Sequence, residues 1–112
     1  VSKKPETVFR ERFVKFLKQL PNTVIFSIQQ QSINGTPDLI CCINGKFCAI
    51  ELKSSEDAEV SMIQKYNLER IVSKGGGIAM ILAPGGEAKA QVFFSALANG
   101  ESLRAPAGTV FN

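Results

Sequence analysis

The sequence predicts an α/β fold: a mixed β-sheet of about four strands flanked by helices. Three observations carry this reading. Periodic segments follow in the order helix, three strands, helix, strand, helix, as in an α/β sandwich. The last strand follows a helix and so runs parallel to its neighbour, whereas a two-residue turn makes the preceding pair antiparallel. With 112 residues the chain has material for one core and none for a second domain, so 1–112 reads as a single unit.

Each element has its own signal. Glu6 to Leu20 reads as an amphipathic helix, because Phe9, Phe13, Phe16, Leu17 and Leu20 recur at the helical period. Pro5 suits its first turn, and Pro21-Asn22 stops it. Val24 to Ile28 is a short strand, and Gln29 to Thr36 is a polar loop. Leu39 to Ile43 and Lys46 to Lys53 are strands around Asn44-Gly45, the strongest short hairpin signal. Ser61-Met62-Ile63-Gln64 is a capping box opening a helix from about Met62 to Lys74, which Gly75 ends. Ile78 to Ala83 reads as a buried strand and Ala88 to Asn99 as a last helix. The segment from Leu103 to Asn112 carries no clear period and reads as an edge strand or a tail.

The hairpin sets a register. With Asn44 and Gly45 as the loop, Ile43 faces Lys46, Cys41 faces Cys48, Leu39 faces Ile50 and Asp38 faces Glu51. Opposed side chains sit about 5 Å apart, so Asp38 and Glu51 repel unless something positive lies between them. A divalent cation held by oxygen ligands is the simplest candidate. Lys53, two residues past Glu51, projects from the same face. Each residue also has a plainer reading. Asp after Pro is common in turns, Glu51 is able to pair with Lys46 or Lys53 at a sheet edge, and a strand-end lysine is often just solvated.

Gly35-Thr36-Pro37-Asp38, the apolar hairpin and Glu51-Leu52-Lys53 together resemble the PD-(D/E)XK nuclease superfamily. The details are most similar to the small virus-type VRR-NUC domains, over roughly Pro5 to Ala83. That resemblance implies a restriction-endonuclease-like core. It implies Mg²⁺ or Mn²⁺ held by Asp38, Glu51, the backbone carbonyl of Leu52 and Glu6, with Lys53 facing the scissile phosphate. It also implies a glutamine near the active site on the helix after the lysine, which here is Gln64. Gln64 equally has a purely structural reading, since a capping box alone accounts for it.

Two acids compete for the helix position. From Glu6, Phe13 lies about −20° and Leu17 about +20° around the helix, whereas Glu11 lies about 140° away. Glu6 therefore sits on the apolar stripe, and Glu11 pairs with Lys15 at i+4. The plainer role for Glu6 is a first-turn acid favourable to the helix dipole.

Composition excludes other classes. Hydrophobic residues at 45% against 21% charged fit a folded globular chain. No apolar run approaches the roughly 20 residues of a membrane helix, and the N-terminus does not read as a signal peptide. With no histidine there is no Ser/His or Cys/His hydrolase. Cys41, Cys48 and Cys42 lack zinc spacing and read as buried, hydrophobe-like thiols of a reducing, cytoplasmic setting. Net charge is +3, and Lys3, Lys4, Arg10, Arg12, Lys15 and Lys18 gather at the N-terminal end, against Glu6 and Glu11. That is either a solvated face or a phosphate-contacting one.

The expected function is metal-dependent hydrolysis of DNA phosphodiesters. By resemblance the substrate is a branched or four-way junction, cut by a homodimer. Phe93, Phe94 and Phe111 are candidates for the subunit contact. The alternative is a catalytically inert nuclease fold acting as a DNA-binding or scaffold module. A sequence-specific restriction or homing enzyme is a third reading, although such enzymes add recognition elements that a chain this short lacks.

Overall fold

The computed structural model describes residues 5–28, 34–55 and 57–112, with Glu6 described by its backbone alone. Three helices and five strands follow in order: α1 Pro5–Gln19, β1 Thr23–Ser27, β2 Leu39–Ile43, β3 Lys46–Leu52, α2 Met62–Ser73, β4 Ile78–Leu82, α3 Glu87–Ala98 and β5 Val110–Phe111. The strands form one sheet in the order β1-β2-β3-β4-β5. The first three are antiparallel, and β4 and β5 join in parallel.

The hairpin register follows from its turn. Asn44 has φ 49° and Gly45 φ 81°, the pair of positive angles that a two-residue turn needs. Ile43 pairs with Lys46, Cys41 with Cys48, and Leu39 with Ile50. The sheet holds five strands rather than about four. The fifth is two residues long, too short to leave a period. It is held by Ile81 N–H to the Thr109 carbonyl at 3.0 Å and Ala83 N–H to that of Phe111 at 2.8 Å.

Each sheet face is covered differently. Phe9, Phe13 and Leu17 of α1 and Phe94 and Leu97 of α3 pack with Leu39, Cys41, Ile43, Cys48 and Ile50 in the larger cluster. On the other face Leu68 of α2 packs with Ala49, Ala79 and Ile81. Arg12 ties α1 to α3 through two hydrogen bonds to Glu87, each 2.6 Å. Among the described residues no helix is long and apolar enough to cross a membrane.

Two expectations are corrected. Cys41 and Cys48 are buried, and burial pushes both thiols up to about 12, so they stay protonated. Cys42 is exposed instead, because α2 covers only the β3–β4 part of its face. Phe93, Phe94 and Phe111 are not spare surface. Phe94 is fully buried, and Phe93 meets Phe94 edge-on with ring centroids 5.2 Å apart and Phe111 at a tilt with centroids 5.8 Å apart. The α1/α3 layer supplies enough cover to absorb them. Among the exposed apolar residues, Val24, Phe26 and Phe47 lie together on the β1–β3 part of the sheet, with Phe26 64% exposed. Val24 and Phe47 are both register partners of Cys42.

Candidate metal-binding active site

The site begins with a loop that only certain residues can make. Gly35 has φ +80°, a conformation costly for residues with a Cβ. A Cβ there would lie 2.7 Å from Asn67 Nδ2 and 2.9 Å from Ile63 Cγ1, both on α2. Asn67 Nδ2 in turn donates to the carbonyls of Gly35 (3.0 Å) and Asn34 (3.3 Å). The loop is thus pressed and bonded onto α2, and buried Pro37 delivers Asp38 to the start of β2.

Asp38 and Glu51 meet where the hairpin opens between the two helical layers. The Asp38 N–H donates to Glu51 Oε1 at 3.1 Å, and the Leu52 N–H donates to Asp38 Oδ2 at 2.8 Å. From α1, Arg10 Nη2 reaches Asp38 Oδ1 at 3.0 Å. From α2, Gln64 Nε2 donates to Glu51 Oε2. Glu51 is only 4% exposed. Its burial pushes its pKa up to about 8, and the adjacent Asp38 carboxyl adds to the rise, while the donated hydrogen bonds oppose it.

Gln64 does two jobs with one amide. Its Oε1 accepts from the Ser61 N–H at 3.0 Å, while the Gln64 backbone N–H donates to Ser61 Oγ at 3.3 Å, completing the capping box. The first of these bonds fixes the amide orientation, so the amino end points at Glu51. The structural and active-site readings of Gln64 are therefore compatible.

Asp38, Leu52 and Lys53 line an open pocket of about 260 Å³ together with Thr7 and Arg10. Glu51 lies behind Asp38, bonded to its amide, and does not line the pocket. Thr7 and Arg10 also line an adjoining groove of about 510 Å³, with Lys15 and Lys18 along α1.

No protein-family model matches the chain, and no curated protein matches it. A solved structure described as a VRR_NUC domain does, with a TM-score of 0.55 and 21% identity, covering 79% of this chain and 94% of that one. The chain has the fold of a VRR_NUC domain.

Within the VRR_NUC fold the donor chemistry fits a hard cation: two carboxylates, no imidazole and no thiolate at the acids. Among the described residues no three or more Asp, Glu, Cys or His side chains are grouped so as to hold a metal ion by themselves. Further ligands would come from a backbone carbonyl such as that of Leu52, from water, or from Glu6. The Glu6 side chain lies outside the described residues, as do Gln29 to Ser32 of the polar loop and Lys3 and Lys4. Glu11 is exposed and lines the basic groove beside Lys15.

Sequence reasoning missed Arg10, which it counted only as part of a basic face. A signal existed: Arg10 lies four residues after Glu6, about 40° around the helix, next to buried Phe9. It also treated the basic helix as uniform, whereas Arg12 is committed to Glu87.

Proposed function

We propose that the chain is a divalent-metal-dependent endonuclease acting on DNA. The observation that carries this reading is the meeting of Asp38 with buried Glu51 at the end of the hairpin, beside a pocket that Lys53 lines. Burying a second acid against a first is costly, and such groups gather where chemistry needs them. Asp38 and Glu51 would hold Mg²⁺ or Mn²⁺, joined by the Leu52 carbonyl and by Glu6. When bound, the cation polarises the scissile phosphate and acidifies water.

The chain's own residues do the rest. Gln64 and the Asp38 amide hold Glu51 in one orientation, and the Leu52 amide holds Asp38. Lys53 orients the attacking water and offsets charge developing on the phosphate oxygens. The new bond is between water oxygen and phosphorus; the P–O3′ bond breaks. The ends are a 5′-phosphate and a 3′-hydroxyl, which takes up the proton. Lys15 and Lys18 along the groove contact the DNA backbone without reading bases.

The preferred substrate in this reading is a four-way junction cut by a homodimer, because two symmetric cuts require two sites in matching orientation. The bare apolar patch around Phe26, Val24 and Phe47 supports a contact with a second copy better than Phe93, Phe94 and Phe111 do.

One assay tests the proposal. Linear duplex, single strand, flap and four-way junction are incubated with and without Mn²⁺, using wild type and Asp38→Asn. Cutting is expected only from wild type with Mn²⁺, fastest on the junction, with a dimer by light scattering. Equal cutting by Asp38→Asn would place the chemistry elsewhere. A monomer that cuts every substrate alike would leave the nuclease reading and remove the junction specificity.

A further inference from the structure

We infer that Arg10 is a movable counter-ion: it neutralises Asp38 until a divalent cation binds, then carries its charge to a DNA phosphate in the adjoining groove. The inference rests on the metal-dependent reading above.

The two oxygens of Asp38 are held in different ways. Oδ2 accepts from the Leu52 backbone N–H at 2.8 Å, and that donor belongs to β3. It cannot leave without breaking the strand end. Oδ1 accepts from Arg10 Nη2 at 3.0 Å, a donor on a long, rotatable stem. The oxygen facing Arg10 is therefore the one a cation can claim by displacing a side chain alone. Both Glu51 oxygens are held, by the Asp38 amide and by Gln64, whose own orientation the helix cap fixes.

Arg10 is also placed to leave. Its side chain is 35% exposed, against 19% for Asp38. It lines both the acid pocket and the groove that holds Lys15 and Lys18. A divalent cation beside Asp38 repels the guanidinium, and the groove is the open direction. A phosphate there gives it the two-point hydrogen bonding that guanidinium favours. Arg12, about 200° around the helix from Arg10 and paired twice to Glu87, has no such freedom. Because coupling between sites is reciprocal, bound metal strengthens DNA binding and bound DNA strengthens metal binding.

The test measures binding rather than cutting. Mn²⁺ is titrated calorimetrically into the full chain and into Arg10→Gln, Arg10→Lys and Asp38→Asn, without DNA. Arg10→Gln should bind Mn²⁺ tighter, by roughly three- to tenfold, because nothing competes for Oδ1. Binding of a short duplex is then followed by anisotropy in a Lys53→Ala background, so that cutting is slow on the timescale of the measurement. Without metal, Arg10→Gln should leave the affinity and its salt dependence unchanged. With Mn²⁺ it should lose the metal-dependent gain, and its salt slope should fall by about 1 relative to the Arg10 protein. If Arg10→Gln does not fold, Arg10→Lys is read instead and is expected to keep the metal-dependent gain in DNA affinity. Loss of that gain in Arg10→Lys overturns the proposal. Unchanged Mn²⁺ affinity in Arg10→Gln, with binding lost in Asp38→Asn, makes Arg10 a fixed structural pair and leaves the metal site standing. Equal Mn²⁺ binding by wild type and Asp38→Asn overturns the metal reading and the counter-ion with it.

Discussion

The two ends of the β2–β3 hairpin obey the same register but live in different surroundings. At the turn, Asn44, Gly45 and Lys46 are exposed, and a Cβ on Gly45 would meet nothing within 4 Å. At the open end, Gly35 is pressed on α2, Glu51 is buried, and an acid opposes an acid. Local rules are satisfied at the first end and strained at the second. Strain of that kind persists where function requires it, and here it marks the candidate site.

The largest expected break of this comparison is catalytic. Lys53→Ala, at the open end, should lower cleavage by about 10²- to 10³-fold while leaving the melting temperature nearly unchanged. Lys46→Ala, at the turn end, should cut at the wild-type rate. Single-turnover rates on a four-way junction with Mn²⁺ measure both. Equal rates for Lys53→Ala and wild type would remove the proposed mechanism.

A smaller effect separates the two glycines. Both have positive φ, near +80°, so alanine carries a backbone cost of roughly 1 kcal/mol at either position. Gly35→Ala adds overlap with Asn67 and Ile63, bringing its cost to about 2–3 kcal/mol. Denaturant melts should rank Gly35→Ala well below Gly45→Ala. Similar midpoints would mean that the loop does not press on α2.

The smallest effect is a slope. Glu51 is raised from 4.5 to about 8 by burial and by Asp38, so the folded chain holds a proton that the unfolded chain releases. The unfolded state binds fewer protons in that window, and stability therefore falls as pH rises. The contribution is complete below 4.5 and lost through about 8. Metal-free thermal melts between those values should decline with pH, and Glu51→Gln should flatten the decline. Added Mn²⁺ should raise the melting temperature more above pH 8 than below it, because the cation binds the ionised form. A flat profile in wild type would show that Glu51 is not held as its protonated form.

Much of the site is legible in local sequence because it depends on local rules. Asn44-Gly45 sets the turn, the turn sets the register out to Leu39 and Ile50, and one step further Asp38 and Glu51 meet without knowledge of any other element. The capping box at Ser61 and Gln64 is equally local. Helical and strand periods likewise locate three helices and four strands to within a residue or two.

Contacts between distant segments were decided only by the tertiary structure. Arg10 and Asp38 are 28 positions apart, and Gln64 and Glu51 are 13 apart on different elements. No period or turn signal links such pairs. The burial of Phe94 and the exposure of Cys42 depend on how far each helix layer extends over the sheet. The two-residue β5 exists because β4 offers it an edge. A chain specifies its own backbone geometry residue by residue, but which charge meets which depends on the packing of whole elements, and that energy is shared among many residues.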